Sequence, residues 1–382
     1  MEKFDVVVIG GGPSGAVAAT LLAKKGLKVA LLDKKTFPRK KICGGLLTQK
    51  AIAYLQEIYS VSPQELMESN IINFSSCDYS MFHKKDRFLQ GTVASPFHLV
   101  DRTCFDNYLL EKAKEAGAQC FEGIKVLGLS PRTGHVYTEE GGIFHGSHII
   151  GADGANSVVR QHFPLEKKDW TSNLAGAVEI RVPHSEFPFN PEHPELYIDV
   201  VESGYGWVFP NKTETVVGIC GLQKKNKNFH ELFRAYISML GVEDVDGFLK
   251  KHPLKGHPLP YGNMVKQPVF GKTILVGDAG GFVETLLGEG IFYAIATGKY
   301  AAEAILQAGT AGKSVEQIYT ERLKKTVIPE IQWSKKLRFV LFNTLKWIGI
   351  KPIARFNTVL SGPLGEMVHG SRSYRWFLKK KW

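Results

Sequence analysis

The 382-residue chain has the length of one large or two ordinary domains. Its 44% hydrophobic and 22% charged residues exclude a disordered or fibrous chain. Five cysteines, at 43, 77, 104, 120 and 220, show no C-x-x-C and no zinc spacing, which argues against a disulfide framework or a metal site and for free thiols in a reducing cytosol. No stretch reaches the roughly 18 apolar residues of a spanning helix. Glu2, Asp5 and the early glycines argue against a signal peptide, so a cytoplasmic protein is expected. The net charge of +11 is confined to residues 321–382, which hold fourteen Lys/Arg against three Asp/Glu, and the rest of the chain is neutral.

In chain order, "FDVVVI" (4–9) is a continuous apolar run, the pattern of a buried parallel strand. "GGGPSG" follows, then a helical stretch closing at Gly26 and a second strand ending at Asp33, together a strand–helix–strand unit. Residues 101–117 predict a helix with Asp101 as N-cap and Gly117 as stop. Short strands follow over "QCFEG" and "KVLGLS", then a hairpin turning at Gly141–Gly142. Residues 173–222 read as strands and 228–252 as helix. "GKTILVGDAGG" reads as another buried strand before a long helix, and the chain beyond 313 reads as helices. With dinucleotide-type elements at both ends and antiparallel strands between, the expectation is an α/β protein with an α+β insert. A Rossmann-like domain is expected from discontinuous segments 1–70, 98–165 and 266–312. An antiparallel-sheet substrate domain takes 71–97 and 166–265, and a basic, aromatic helical segment takes 313–382.

Gly10-x-Gly12-x-x-Gly15 lies between the first strand and helix. Gly10 permits the turn, Gly12 lets backbone approach a pyrophosphate, and Gly15 lets helix pack on strand. Pro13 and Ser14 open the helix, whose N-terminal N–H groups and dipole suit phosphate. Asp33, followed by Lys34, lies where a carboxylate binds a ribose hydroxyl. These features predict dinucleotide binding. No second such motif follows a strand, so no dedicated NAD(P)H domain is expected.

Two further motifs resemble those of flavoproteins of the aromatic-hydroxylase, glutathione-reductase-like fold: "GADGANSVVR" (151–160), with Asp153 and Gly154, and "ILVGDAGGFVETLLGEGIFYAIATG" (274–298). The resemblance implies FAD, with Asp278 on the ribityl chain and a helix opening near Gly288, Gly290 and Ile291 facing the flavin. It also implies Arg102 reaching the cofactor and Val126 packed on the adenine. Within that superfamily, "KICGGLL" (41–47) and "GYGWVFPNKTETVVGICG" (204–221) resemble the geranylgeranyl reductase family, whose members saturate C=C bonds of polyprenyl chains. Cys43, Gly44 and Gly45 fall in the first motif. Tyr205, Trp207 and Phe209 alternate along the second, so they share one face. The chain departs from the family in Glu284-Thr285-Leu286-Leu287, which replaces its Asn-Pro-x-Thr loop before Gly288.

The implied activity is hydride transfer from reduced FAD to a prenyl lipid or quinone tail. Cys43 and Tyr205 are candidate proton donors and Trp207 a wall residue. NAD(P)H or ferredoxin is the implied electron donor. Alternatives are a monooxygenase or halogenase of the same fold, or a non-catalytic flavin-binding protein on the membrane. The C-terminal segment combines its charge with Trp333, Phe339, Phe342, Trp347, Phe356, Trp376, Phe377 and Trp382. Such a mixture suits nucleic acid or an anionic membrane, and a lipid-tailed substrate selects the membrane. Trp333, Leu337, Leu341, Leu345 and Ile348 fall at helical spacing and are the expected membrane-facing line, with Lys335 and Lys346 off it.

Overall fold

The computed structural model describes residues 2–165, 170–171, 173–309, 312–348 and 357–379. The chain opens with β1 (Glu2–Ile9), α1 (Pro13–Ala23) and β2 (Val29–Asp33). It continues through β3 (Leu46–Leu47), α2 (Gln49–Tyr59), α3 (Pro63–Glu68) and a long hairpin, β4 (Ile72–His83) and β5 (Asp86–Val100). Next come α4 (Arg102–Glu115), β6 (Gln119–Glu122), β7 (Val126–Ser130), β8 (His135–Thr138) and β9 (Ile143–Gly151). The middle holds β10 (Ala175–Pro183), β11 (Glu195–Ile198), β12 (Gly204–Pro210), β13 (Glu214–Leu222), α5 (Phe229–Met239) and α6 (Val245–Lys251). The last part holds β14 (Lys255–Leu259), β15 (Val269–Phe270), β16 (Thr273–Leu275), α7 (Ile291–Gln307), α8 (Val315–Ile348), α9 (Asn357–His369) and α10 (Tyr374–Lys379).

The first sheet runs β15-β16-β9-β1-β2-β6, and its strands from β16 to β6 are parallel. Its two covered faces explain the unbroken apolar run of β1. Val6 and Val8 pack beneath α1 and α7, whereas Val7 and Ile9 pack against the β7-β8-β9 layer. Each fully buried valine is worth roughly 1.5–3 kcal/mol, so a one-residue slip of β1 would be costly. Gly15 is required here: a Cβ would stand 1.9 Å from the Gly10 carbonyl oxygen.

The second sheet runs β14-β10-β13-β12-β11-β4-β5-β3. One face packs on α5 through Val208, Val217, Ile219, Phe233 and Tyr236. The other carries Trp207, Phe209 and Cys220. The alternation read from β12 is thus the division between a core face and a second apolar face. Gly218 lies directly across from Trp207, and a Cβ there would come within 2.1 Å of the indole.

The second sheet draws on segments that the sequence assigned to the first domain. Leu46–Leu47 pair with His98 and Leu99 at the end of β5. The C-terminal segment is built into both sheets' surroundings: α8 packs on α7, and α9 lies on β5.

One expectation is corrected. Trp333, Leu337 and Leu341 do not face outward. Partly buried, they pack against the buried cluster of Leu286, Met367 and Tyr374. A stripe at helical spacing is satisfied by protein as readily as by lipid, and α9 and α10 supply the protein here. The outer face of α8 carries instead Phe339, 72% exposed, and Val340, 46% exposed, beside Lys335 and Lys336. The side chains of Leu345, Lys346, Trp347 and Ile348, together with Phe356 and Trp382, lie outside the described residues. No described helix is long and apolar enough to cross a membrane.

Candidate active site

Two cavities meet in the interior. The first is a cleft of about 450 Å³ between α1, the loop after β2 and the start of α7. It is lined by Gly10, Gly12, Pro13, Ser14, Asp33, Lys34, Arg102, Val126, Asp153, Gly154 and Asp278. Two helices point uncapped N-termini at it. α1 begins after Gly12 and α7 after Gly290, and neither has a side-chain cap. Free amides and the positive end of each dipole therefore face the cleft.

Carboxylates shape its walls. Asp33 accepts from the N–H of Gly11 (2.7 Å) and of Lys35 (2.8 Å), tying the glycine turn to the next loop. Asp153 accepts from Val158 and Val159 through one oxygen, while the other is buried without a protein partner. Burial holds its carboxyl above the usual range. Arg102 donates to Asp106 through Nε (2.6 Å) and Nη2 (2.9 Å) and lies close to the Cys43 thiol. Arg39, which the sequence reading did not single out, reaches both Asp106 (3.3 Å) and Asp33 (3.9 Å). Lys41 is half-buried beside them, and desolvation pulls its ammonium below the usual range.

These residues fit a dinucleotide. The glycine cradle lies against the cleft with room beyond Gly12, where the nearest atom to an added Cβ is Arg39 at 3.6 Å. The cations gathered at the cleft match a pyrophosphate, and the orphaned Asp153 oxygen is a free acceptor for a hydroxyl donor.

The second cavity, about 230 Å³, lies on the open face of the second sheet. Its lining is almost wholly apolar: Tyr205, Trp207 and Phe209 from β12, Leu196 and Ile198 from β11, Tyr79 and Met81 from β4. Leu341 and Phe342 of α8, with Leu364, Met367 and Val368 of α9, close the far side. The two cavities share Ile42, Cys43, His257, Leu259, Gly288, Gly290 and Ile291.

The loop at 41–45 runs along this junction. Gly44 lies against the aromatic wall, where a Cβ would come within 2.9 Å of the Phe209 ring. Gly45 has φ +75° and donates its N–H to the Cys43 sulfur. The Cys43 N–H donates to Glu179 Oε1 (3.1 Å). Tyr205 spends its hydroxyl hydrogen on the Leu287 carbonyl, and burial pushes its phenol well above the usual range. The Trp207 Nε1–H is buried without a protein partner.

The departure at 284–287 has a physical account. Glu284 is fully buried, and its carboxylate accepts from the N–H of Leu286 and Leu287, closing the turn on itself. Tyr261 donates to the Leu286 carbonyl, and Ser334 of α8 accepts from Thr285 N–H (3.1 Å). Arg338 donates to the Thr285 and Tyr261 carbonyls (3.3 Å each). The loop entering α7 is therefore fixed from the sheet and from α8 at once.

The sequence reading did not single out Glu179 or His257. Both sit on inward-facing strand positions, Glu179 on β10 and His257 opposite Ala177 on β14. A signal was present: in "AGAVEIRVP" the period of two puts Glu179 on the face of Ala175 and Ala177, an odd place for a lone acid.

Comparison with known proteins agrees with this arrangement. Residues 3–327 match the family described as FAD binding domain. Geranylgeranyl diphosphate reductase of Rhodobacter capsulatus is 31% identical over 323 residues, covering 82% of this chain and 78% of that protein. Menaquinone reductase of Mycolicibacterium smegmatis is 30% identical over 333 residues, covering 82% and 78%. In fold, the chain is similar to a geranylgeranyl bacteriochlorophyll reductase-like protein from Thermoplasma acidophilum, with TM-score 0.78, 21% identity and coverage of 99% and 98%. It is also similar to a probable FAD-dependent monooxygenase from Pseudomonas aeruginosa, with TM-score 0.69, 17% identity and coverage of 92% and 100%. With a cofactor cleft opening on an apolar cavity and relatives of this kind, the chain belongs to the geranylgeranyl reductase family of FAD-binding oxidoreductases.

Proposed function

We propose that this protein saturates C=C bonds of a polyprenyl chain, carried by a geranylgeranyl-type lipid or a quinone tail, using FAD. The observation that carries the reading is the junction. A polar, cation-rich cleft opens at Cys43 and Gly288–Ile291 directly onto an apolar, aromatic-walled cavity. The names of the R. capsulatus and M. smegmatis relatives support a prenyl substrate.

In this reading the α1 amides with Gly10, Gly12, Pro13, Ser14 and Gly15 hold the pyrophosphate. Asp33 and Lys34 take the adenosine ribose, and Val126 packs on the adenine. Arg102, Asp153, Gly154 and Asp278 would line the path of the cofactor, and Cys43–Gly45 with Gly288–Ile291 would hold its ring end. Bound in its reduced form, FAD supplies a hydride.

The chain's own residues do the rest. An isoprenoid alkene is not polarised by a carbonyl, so it needs an acid at the second carbon and a site without bulk water. Trp207 and Phe209 wall the cavity, and Gly44 lets them approach the loop. Tyr205 anchors Leu287 at the mouth. Cys43 places a thiol at the junction, held by the Gly45 N–H and close to Arg102.

The electron donor is NAD(P)H or a ferredoxin, for which exposed Lys34, Lys35 and Lys40 at the cleft entrance offer a cationic approach. The membrane contact is the outer face of α8, where Phe339 and Val340 stand exposed beside Lys335 and Lys336. That face backs the cavity wall formed by Leu341 and Phe342, so a lipid would enter close to where the protein meets the bilayer. Mass spectrometry of cellular lipids and quinones with and without the gene tests the reading. Prenyl chains that lose two hydrogens per bond on deletion are expected, and an unchanged lipid and quinone profile would contradict it.

A further inference from the structure

We infer that Glu179 is the acid that delivers the proton to the prenyl alkene; this rests on the reductase reading above. Glu179 stands on β10 at the wall of the apolar cavity, beside the Cys43 loop, and is 3% exposed. Among the described residues, two carboxyl groups line that cavity. The other, Glu289, is ion-paired with Lys50 (2.5 Å) and accepts from the Thr48 hydroxyl (2.7 Å). Glu179 has no ion pair closer than Arg181 at 4.0 Å. Oε1 accepts from the Cys43 backbone N–H, and Oε2 is buried with no protein group to satisfy it. An unpaired buried carboxylate is costly, whereas a protonated one is not.

The surrounding charges leave Glu179 able to take up and release a proton. Arg181 on the same strand approaches only to 4.0 Å, and its Nη1 is committed to Asp101 and Glu214 at 2.6 Å each. Lys41 and Arg102 face it from the cofactor side, and Arg102 is committed to Asp106. His257 on the neighbouring strand is kept neutral, its imidazole pushed down to about 4 by burial and by nearby Lys41 and Arg102. Burial raises the Glu179 carboxyl to about 7, with Arg181, the Cys43 N–H, Lys41 and Arg102 opposing. An acid near the working pH is the efficient choice, and the Tyr205 phenol, far above it and committed to Leu287, is not.

The step balances. The alkene gains one hydride, carrying two electrons from the reduced cofactor, and one proton. The π bond is lost and two C–H bonds form. The Glu179 O–H bond breaks and leaves a carboxylate, which then takes a proton from solvent.

The test is anaerobic mixing of the reduced holoenzyme with a prenyl substrate in detergent, read by flavin reoxidation across pH. The wild-type rate should fall as pH rises through about 7. Glu179→Gln should slow reoxidation by about 10²- to 10⁴-fold and flatten the profile. Glu179→Asp should restore part of the rate, and Cys43→Ala should keep the pH dependence. Infrared titration supplies a readout independent of turnover: a protonated carboxyl band should titrate near pH 7 and be missing in Glu179→Gln. A Gln variant that reoxidises at the wild-type rate, or a profile that vanishes in Cys43→Ala instead, would overturn the assignment and leave the reductase reading standing. A wild-type enzyme that is not reoxidised by any prenyl alkene would overturn both.

Discussion

The cofactor cleft and the apolar cavity lie side by side and are built in opposite ways. The cleft is made of backbone. Its turns, helix ends and glycines are local in sequence, and its side chains mostly tie one loop to the next. The cavity is made of side chains from β4, β11, β12, α8 and α9, which are spread over nearly three hundred residues. A backbone site tolerates little change at its few glycines, whereas a side-chain cavity can be reshaped without disturbing its neighbour. The molecule should therefore lose the two functions separately.

The largest expected effect is in the cleft. Gly15→Val puts a Cβ 1.9 Å from the Gly10 carbonyl oxygen, so α1 cannot seat on β1. Purified variant should carry no flavin by absorbance and unfold early by circular dichroism. Flavin retained in wild-type amount would contradict a backbone-built cleft.

The matching change in the cavity is Gly218→Val, whose Cβ would strike the Trp207 indole at 2.1 Å and drive it into the cavity. Overpacking of this kind costs roughly 1–3 kcal/mol in stability. FAD content should stay near wild type while prenyl-dependent reoxidation drops at least tenfold. Parallel loss of both would show that the two regions are one cooperative site.

Glu179 sharpens the comparison through pH. Its carboxyl is raised in the folded protein from the usual 4.5 to about 7. Between those values the native state holds a proton that the unfolded chain releases, so stability falls as pH rises through about 7. The effect is on the order of 3 kcal/mol for a shift of this size. Glu179→Gln should be relatively more stable than wild type at pH 8 than at pH 5, read by urea denaturation at both. An identical pH dependence in the two proteins would argue that the carboxyl is ionised throughout.

The smallest effect lies outside both regions. Phe339→Glu on the outer face of α8 should reduce co-sedimentation with anionic liposomes several-fold and leave reduction of a short, detergent-dispersed prenyl alcohol intact. Undiminished liposome binding would move the membrane contact elsewhere.

The same contrast explains what could be read in advance. The β1–α1–β2 unit, Asp101 as the cap of α4, the hairpin before Gly151 and the alternation of β12 all follow from local pattern, and the structure has them. Within 46–100 the sequence assigned 71–97 to the antiparallel sheet without resolving single elements, and the helix after Ser62 went unread although Ser62 and Glu65 form a capping box visible as "SPQE". The stripe on α8 misled because spacing says that a face is covered, not by what. Glu179 and Arg39 escaped because their neighbours, the Cys43 loop and Asp106, come from segments about 136 and 67 residues away in sequence.

If the cleft and cavity meet as proposed, a prenyl alkene, and not O₂, takes the electrons. The direct measurement is single-turnover reoxidation of the reduced enzyme without oxygen in the presence of a geranylgeranyl substrate, with mass analysis of the product. The account predicts reoxidation matched by a gain of two hydrogens per reduced bond. Reoxidation only when O₂ is admitted, with an oxygen atom in the product, would contradict it.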